Sequence, residues 1–121
     1  GGGMVQVAAL RPGTAGHDLT VKVVSVKDVV NRKRADGSGT RIVEALLGDA
    51  SGCILMSARN EQAEGLKQGK VLSIKNAKIE MFKGTMRLAA DKDNMEESSE
   101  AFTPDESNNM SNVQFDLIEL K

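Results

Sequence analysis

Residues 41–59 read RIVEALLGDASGCILMSAR, and this stretch decides the fold. Arg41–Leu47 is rich in Ile, Val and Leu and predicts a strand. Gly48-Asp49-Ala50-Ser51-Gly52 has the composition of a tight turn. Cys53–Arg59 predicts the returning strand. If Ile54, Met56 and Ala58 face inward, Leu55, Ser57 and Arg59 face outward. A hairpin with one apolar face needs further strands to cover that face.

Those strands lie on both sides. Upstream, Asp18–Val30 (DLTVKVVSVKDVV) alternates through Leu19, Val21 and Val23 and predicts a long strand. Its phase slips near Val24-Ser25, which suits a bulge. Asn31–Thr40 (NRKRADGSGT) reads as a polar loop. Nearer the start, Val5-Gln6-Val7 alternates, and Leu10-Arg11-Pro12-Gly13 fits a type II turn. Downstream, Asn60–Gly69 predicts a helix of one or two turns, capped by Asn60, weakened by Gly65 and ended by Gly69. Val71–Phe82 and Thr85–Ala90 predict two more strands, with Met86 and Leu88 inward and Arg87 outward. Lys83-Gly84 has the form of a two-residue hairpin turn. Residues 91–112 predict a mobile acidic loop, and the alternation of Val113, Phe115 and Leu117 predicts a closing strand over 113–120.

The chain has 121 residues, 40% of them apolar, with one Cys and one His. That length fits one domain, over 4–121, with Gly1-Gly2-Gly3 read as an expression remnant. No apolar run reaches membrane-spanning length, so no membrane partner is expected. One Cys and one His leave no disulfide framework, no multi-Cys zinc site and no nucleophile–base pair. The expectation is a non-enzyme with no catalytic residue, metal or cofactor. A free thiol and no export leader suggest an intracellular protein, in nucleus or cytoplasm. Sequence leaves monomer or weak oligomer open.

Three strands, a short helix and two strands make an all-β chain. That order is the layout of the OB-fold, a five-stranded partly open barrel with its helix between strands three and four. Charge is divided along it. Residues 1–92 hold 15 Lys and Arg against 9 Asp and Glu, net +6, while residues 93–121 hold one Lys against 8 acids, net −7. A basic body with an acidic end points to contact with nucleic acid. The acidic loop then has two readings, a connector on the far side or a polyanion mimic that folds over the basic face.

The stretches LRPGTAG (10–16), RIVEALLGDASGCILMSARNE (41–61) and GKVLSIKNAKIEMFKGTMRL (69–88) carry a resemblance. They are similar to the small single-domain OB-fold nucleic-acid-binding proteins of plants and protists. More distantly they resemble the single-stranded-DNA-binding proteins of archaea and animals and the OB domains of replication protein A. The resemblance implies binding of single-stranded or structured nucleic acid, single-stranded DNA first, with RNA or a quadruplex as further ligands. The alternative is an OB-fold adaptor that docks a protein partner inside a larger nucleic-acid-processing complex.

On such a barrel a strand of nucleic acid crosses strands two and three, between the loop joining strands one and two and the loop joining strands four and five. It needs cations for phosphates and flat groups for bases. The candidates are Arg32, Lys33 and Arg34 in the first loop, Arg41, Arg59, Lys78, Phe82, Lys83 at the second hairpin tip, and Arg87. In the similar family an aromatic stacks a base from the matching Phe-Lys-Gly motif, which here is Phe82-Lys83-Gly84. The alternative is that Phe82 packs beneath the hairpin as core. The chain has only three Phe and no Trp or Tyr. Arg59 stands where the family has an aromatic, and a guanidinium can also stack on a base.

Overall fold

The computed structural model describes residues 4–115. β1 (His17–Lys33), β2 (Gly39–Asp49), β3 (Gly52–Arg59), α1 (Glu61–Glu64), β4 (Val71–Phe82), β5 (Thr85–Ala89) and β6 (Met95–Glu97) follow in that order. Turns of 3-10 helix stand at Val7–Ala9, Lys92–Asn94 and Met110–Asn112. Five strands close a ring in the order β1-β2-β3-β5-β4, with β4 returning to β1. This is the OB-fold barrel that the strand order predicts. Leu19, Val21, Val23, Val43, Leu47, Ile54, Met56, Ile74, Met86 and Leu88 fill its interior, all essentially without solvent contact.

β1 serves two neighbours in turn. Residues 17–22 pair with β4, and residues 22–33 pair with β2. The register slips between Val23 and Ser25, where the strand passes from one partner to the other, so the expected bulge is present. Beyond the Val30–Ile42 pair, where β2 parts from the end of β3, the β1–β2 ribbon leaves the barrel as an arm. Asn31–Lys33 and Gly39–Thr40, expected as loop, continue the ladder, because two polar strands that pair only with each other need no apolar face. Only residues 34–38 turn.

The N-terminal stretch differs from its reading. Val5-Gln6-Val7 forms no strand; Val7–Ala9 is a 3-10 turn whose Val7, with Leu10, is buried against the barrel. Its free N–H groups donate to the β2–β3 turn, Val7 N to Asp49 Oδ2 at 3.0 Å and Ala8 N to Ser51 Oγ at 3.0 Å. α1 lasts a single turn and buries Ala63, with Leu66 following it into the core. Asn60 does not cap it. Its φ is +52°, its Oδ1 accepts from Arg41 N at 2.9 Å, and its N–H donates to Arg41 O at 2.8 Å. Asn60 therefore fastens the end of β3 to the start of β2.

Residues 91–112 are not a free loop. Met95–Glu97 form β6, which extends the sheet along β4 opposite Leu72–Ile74. Residues 104–115 then run as a strap along the seam between β3 and β5, where the ring is thinnest. Those two strands share one parallel bridge pair, Met56 with Leu88. Cys53 N donates to Asn108 O at 2.8 Å. Ser111 is buried, accepts from Leu55 N at 2.9 Å and donates to Met86 O at 2.6 Å, so one hydroxyl stitches β3 to β5. The strap reaches the β4–β5 turn, where Phe115 N donates to Gly84 O at 2.7 Å and Gln114 Nε2 to Lys83 O at 2.9 Å. The closing strand expected over 113–120 is not seen in residues 113–115, and its remainder lies outside the described residues.

Candidate nucleic-acid interface

The arm and the β4–β5 hairpin are the two projections that flank the outer face of β2 and β3. The hairpin is tight. Lys83 has φ +50° and Gly84 φ +82°, the pair of positive values a type I′ turn requires. A Cβ on Gly84 would also meet the Gln114 side chain and the Phe115 carbonyl at 2.9 Å, so glycine is required there twice over. This turn presents Phe82, which is 52% exposed. The reading of Phe82 as buried core is therefore excluded. Lys83 Nζ and Arg87 Cζ each lie 5.4 Å from the centroid of its ring.

Between the arm and this hairpin lies a groove of about 370 Å³, lined by Val29 and Ile42 on one side, Glu44 and Ser57 on its floor, and Glu80, Met81, Phe82 and Arg87 on the other. Alternation explains the floor. Val43, Ala45 and Leu47 point into the barrel, so Ile42 and Glu44 point out, and Glu44 pairs with outward Ser57. Val29 is exposed at the base of the arm, as the residue without a ladder partner at a second register shift, between Asp28 and Val30.

The nine candidate residues separate into groups. Phe82, Lys83 and Arg87 come together on the hairpin. Arg32, Lys33 and Arg34 come together at the arm, around a hollow they share with Val30 and Thr40. The arm tip is ordered by Asp36, whose Oδ1 accepts from the Ser38 hydroxyl at 2.6 Å and from Ser38 N at 2.9 Å. Those bonds hold the Asp36 carboxyl below the usual carboxylate range. Lys78 lies on the same face as Phe82, four residues along β4, and pairs with Glu80 at 3.4 Å.

Arg41 and Arg59 behave differently. Arg41 has the parity of inward Val43, so it leaves β2 on the face opposite Glu44. Its Nε donates to Asp28 Oδ1 at 3.1 Å, and the hollow beside it also holds Glu61 and Glu64. Arg59 ends the outward row of β3 opposite Ile42, as expected. The guanidinium over the ring, however, is that of Arg87. Glu44, Ile42, Val29 and Met81 were not among the candidates. The parity of β2 was enough to place Glu44 outward; the exposure of Val29 depends on a bulge that the sequence does not mark.

The acidic strap packs elsewhere. Asp105 N donates to Asp49 O at 2.9 Å, which sets residues 105–108 at the β2–β3 turn. That turn is eight residues along β2 from Arg41, about 26 Å at the usual strand rise. Of the two readings of this segment, residues 95–109 fit the connector on the far side.

Over residues 10–97 the chain matches the family described as single-stranded DNA binding protein Ssb-like, OB fold. It is 46% identical over 125 residues to an uncharacterised protein of Arabidopsis thaliana, across 94% of this chain and 82% of the relative. It is 31% identical over 103 residues to the single-stranded DNA binding protein Ssb of Saccharolobus solfataricus, across 84% of this chain and 69% of the relative. Among solved structures it is similar to a hypothetical protein of Arabidopsis thaliana solved in solution, with TM-score 0.76 and 42% identity over 98% of this chain and 89% of that one. The second OB-fold domain of replication protein A from Methanococcus maripaludis shares the fold, with TM-score 0.59 and 18% identity over 84% of this chain and all 100% of that one. The chain belongs to the Ssb-like OB-fold family. Among the described residues, no helix is long and apolar enough to cross a membrane.

Proposed function

We propose that this chain binds single-stranded nucleic acid, single-stranded DNA first, in the groove between the β1–β2 arm and the β4–β5 hairpin. The observation that carries the reading is the exposed Phe82 ring with two cations against it, at the wall of a groove whose far end is a cationic arm. A base stacks on the ring while Lys83, Arg87 and the arm residues Arg32, Lys33 and Arg34 neutralise phosphates. Lys78 and Arg59 extend the track at its margins. Arg41 contributes least, because its guanidinium is turned to Asp28. The activity is binding without catalysis, and RNA and folded DNA are secondary ligands.

The test is a titration of the purified protein with oligo-dT, oligo-U and a quadruplex at two salt concentrations. Affinity for oligo-dT that falls with salt supports the reading. No binding of any of the three at low salt overturns it.

The adaptor reading rests on the apolar side of the same groove, where Val29 and Met81 are exposed beside Phe82. It takes precedence if the pure protein ignores all three oligonucleotides and a nuclease-resistant complex depends on Val29 and Met81.

A further inference from the structure

A carboxylate on the floor of a groove that receives a polyanion is unfavourable for phosphate and needs another purpose. Two carboxylates line this groove. Glu80 is answered locally, since it forms an ion pair with Lys78 at 3.4 Å. Glu44 is not. Its ladder neighbours are Lys27 on β1 and Ser57 on β3, and among the described residues its side chain makes neither an ion pair nor a hydrogen bond. Glu44 thus presents two unoccupied acceptor oxygens in a half-buried position, in the groove bounded by Phe82.

Base edges differ in what they offer to such a group. Thymine and uracil present one N–H between two carbonyl oxygens, which a carboxylate repels. Adenine and cytosine present one amino group beside a ring-nitrogen acceptor. Guanine alone presents two adjacent donors, N1–H and the N2 amino group, spaced to meet both oxygens of one carboxylate. Charge-assisted, bidentate bonds of this kind are the ones that discriminate.

We infer that Glu44 reads the Watson–Crick edge of an unpaired guanine whose neighbouring base stacks on Phe82, making the groove guanine-preferring. The inference rests on the proposed binding of single strands in this groove. In a quadruplex tetrad N1–H and N2–H are already bonded to neighbouring guanines, so Glu44 selects unpaired guanine over tetrads.

The probes are a thymine 12-mer and the same 12-mer with isolated guanines, in a lithium buffer that disfavours tetrads, read by fluorescence anisotropy. The wild-type protein should bind the guanine strand about tenfold tighter or more. Replacing guanine with inosine, which lacks the N2 amino group, should remove most of that gain without any change to the protein. Replacing it with 7-deazaguanine, which keeps both donors, should not. Glu44→Gln should narrow the guanine-to-thymine ratio severalfold and bind the thymine strand more tightly, because a charge that repels phosphate is gone. Equal affinity of the wild type for both 12-mers, or an unchanged ratio in Glu44→Gln, overturns the inference and leaves the single-strand reading standing. Absence of binding to both 12-mers at low salt overturns that reading, and the inference with it.

Discussion

Arg87 holds its guanidinium carbon 5.4 Å from the centre of the Phe82 ring, two strands of a hairpin joined by a cation over an aromatic face. Arg87 also donates from Nη1 to Thr85 Oγ1 at 2.8 Å and to Met86 O at 3.1 Å, so the guanidinium is fixed rather than free to wander. A half-exposed phenylalanine would otherwise sweep through several rotamers. Here the contacts with Lys83 and Arg87 favour one orientation of the ring before any ligand arrives, which lessens the ordering needed on binding.

Phe82→Ala should therefore weaken binding to oligo-dT by about 1–3 kcal/mol, the range for loss of one base stack. Because the ring is exposed, the melting temperature should change little. Anisotropy titration with a thermal melt separates the two effects. A large fall in melting temperature would show that the ring is structural.

The cations should differ in a salt titration. Loss of Arg32, Lys33 or Arg34 should each flatten the dependence of log affinity on log salt by about 0.7 if each meets one phosphate of a single strand. Arg41→Ala should change the slope least, since Asp28 already answers that charge at 3.1 Å. An equal effect at Arg41 would mean that the strand runs along the other face of the arm.

Ser111→Ala should be among the more damaging single-atom changes in the molecule. It orphans the Leu55 N–H at the seam, at a cost of about 1–3 kcal/mol for a group left unsatisfied, and takes from the Met86 carbonyl its shorter bond, leaving it the 3.1 Å bond from Arg87 Nη1. Denaturant unfolding should register the loss. Ser111→Thr keeps the hydroxyl and should restore part of it.

Cys53 should be inert while the protein is folded. Burial, and after it the carboxylates of Glu106, Asp105 and Asp49, push its thiol up to about 11. At pH 8 it stays protonated, and thiolate is the reactive form. Ellman's reagent at that pH should react only as fast as the strap opens. Reaction at the rate of a free thiol would place Cys53 at the surface.

Strand order and inner face were legible wherever one side of a strand is apolar. Ile54, Met56 and Ala58 alternate cleanly because β3 has barrel on one side and solvent on the other. The length of the arm is not legible because both faces of Asn31–Lys33 are wet, and nothing in the residues distinguishes a paired polar strand from a loop. The strap is not legible because its anchors are backbone groups and small polar side chains such as Asn108 and Ser111, whose partners lie about 55 residues earlier in the chain. At the interface, Phe82 follows from its parity on β4 and from the Phe-Lys-Gly motif of the similar family, and Lys83 from the two-residue turn. The partnership with Arg87 follows from the hairpin register, and the placement of Val29 from a bulge with no sequence mark.

Gly84→Ala tests the turn and the interface together. It strains a positive φ and drives a methyl into Gln114 and the Phe115 carbonyl, so it should both lower stability and displace Phe82. Reduced oligo-dT affinity with a lowered melting temperature is the expected pair of results.

The Ser111 stitch sets an order of events for the growing chain. Every strand of the ring precedes residue 111, so the strap is the last part of the barrel to be made, and the backbone donors at Cys53 and Leu55 are unclaimed until it docks. Until the strap docks, that seam is an adhesive margin to which another chain can add a strand. Mutations that delay the strap should reveal themselves first as lost yield rather than as weakened affinity.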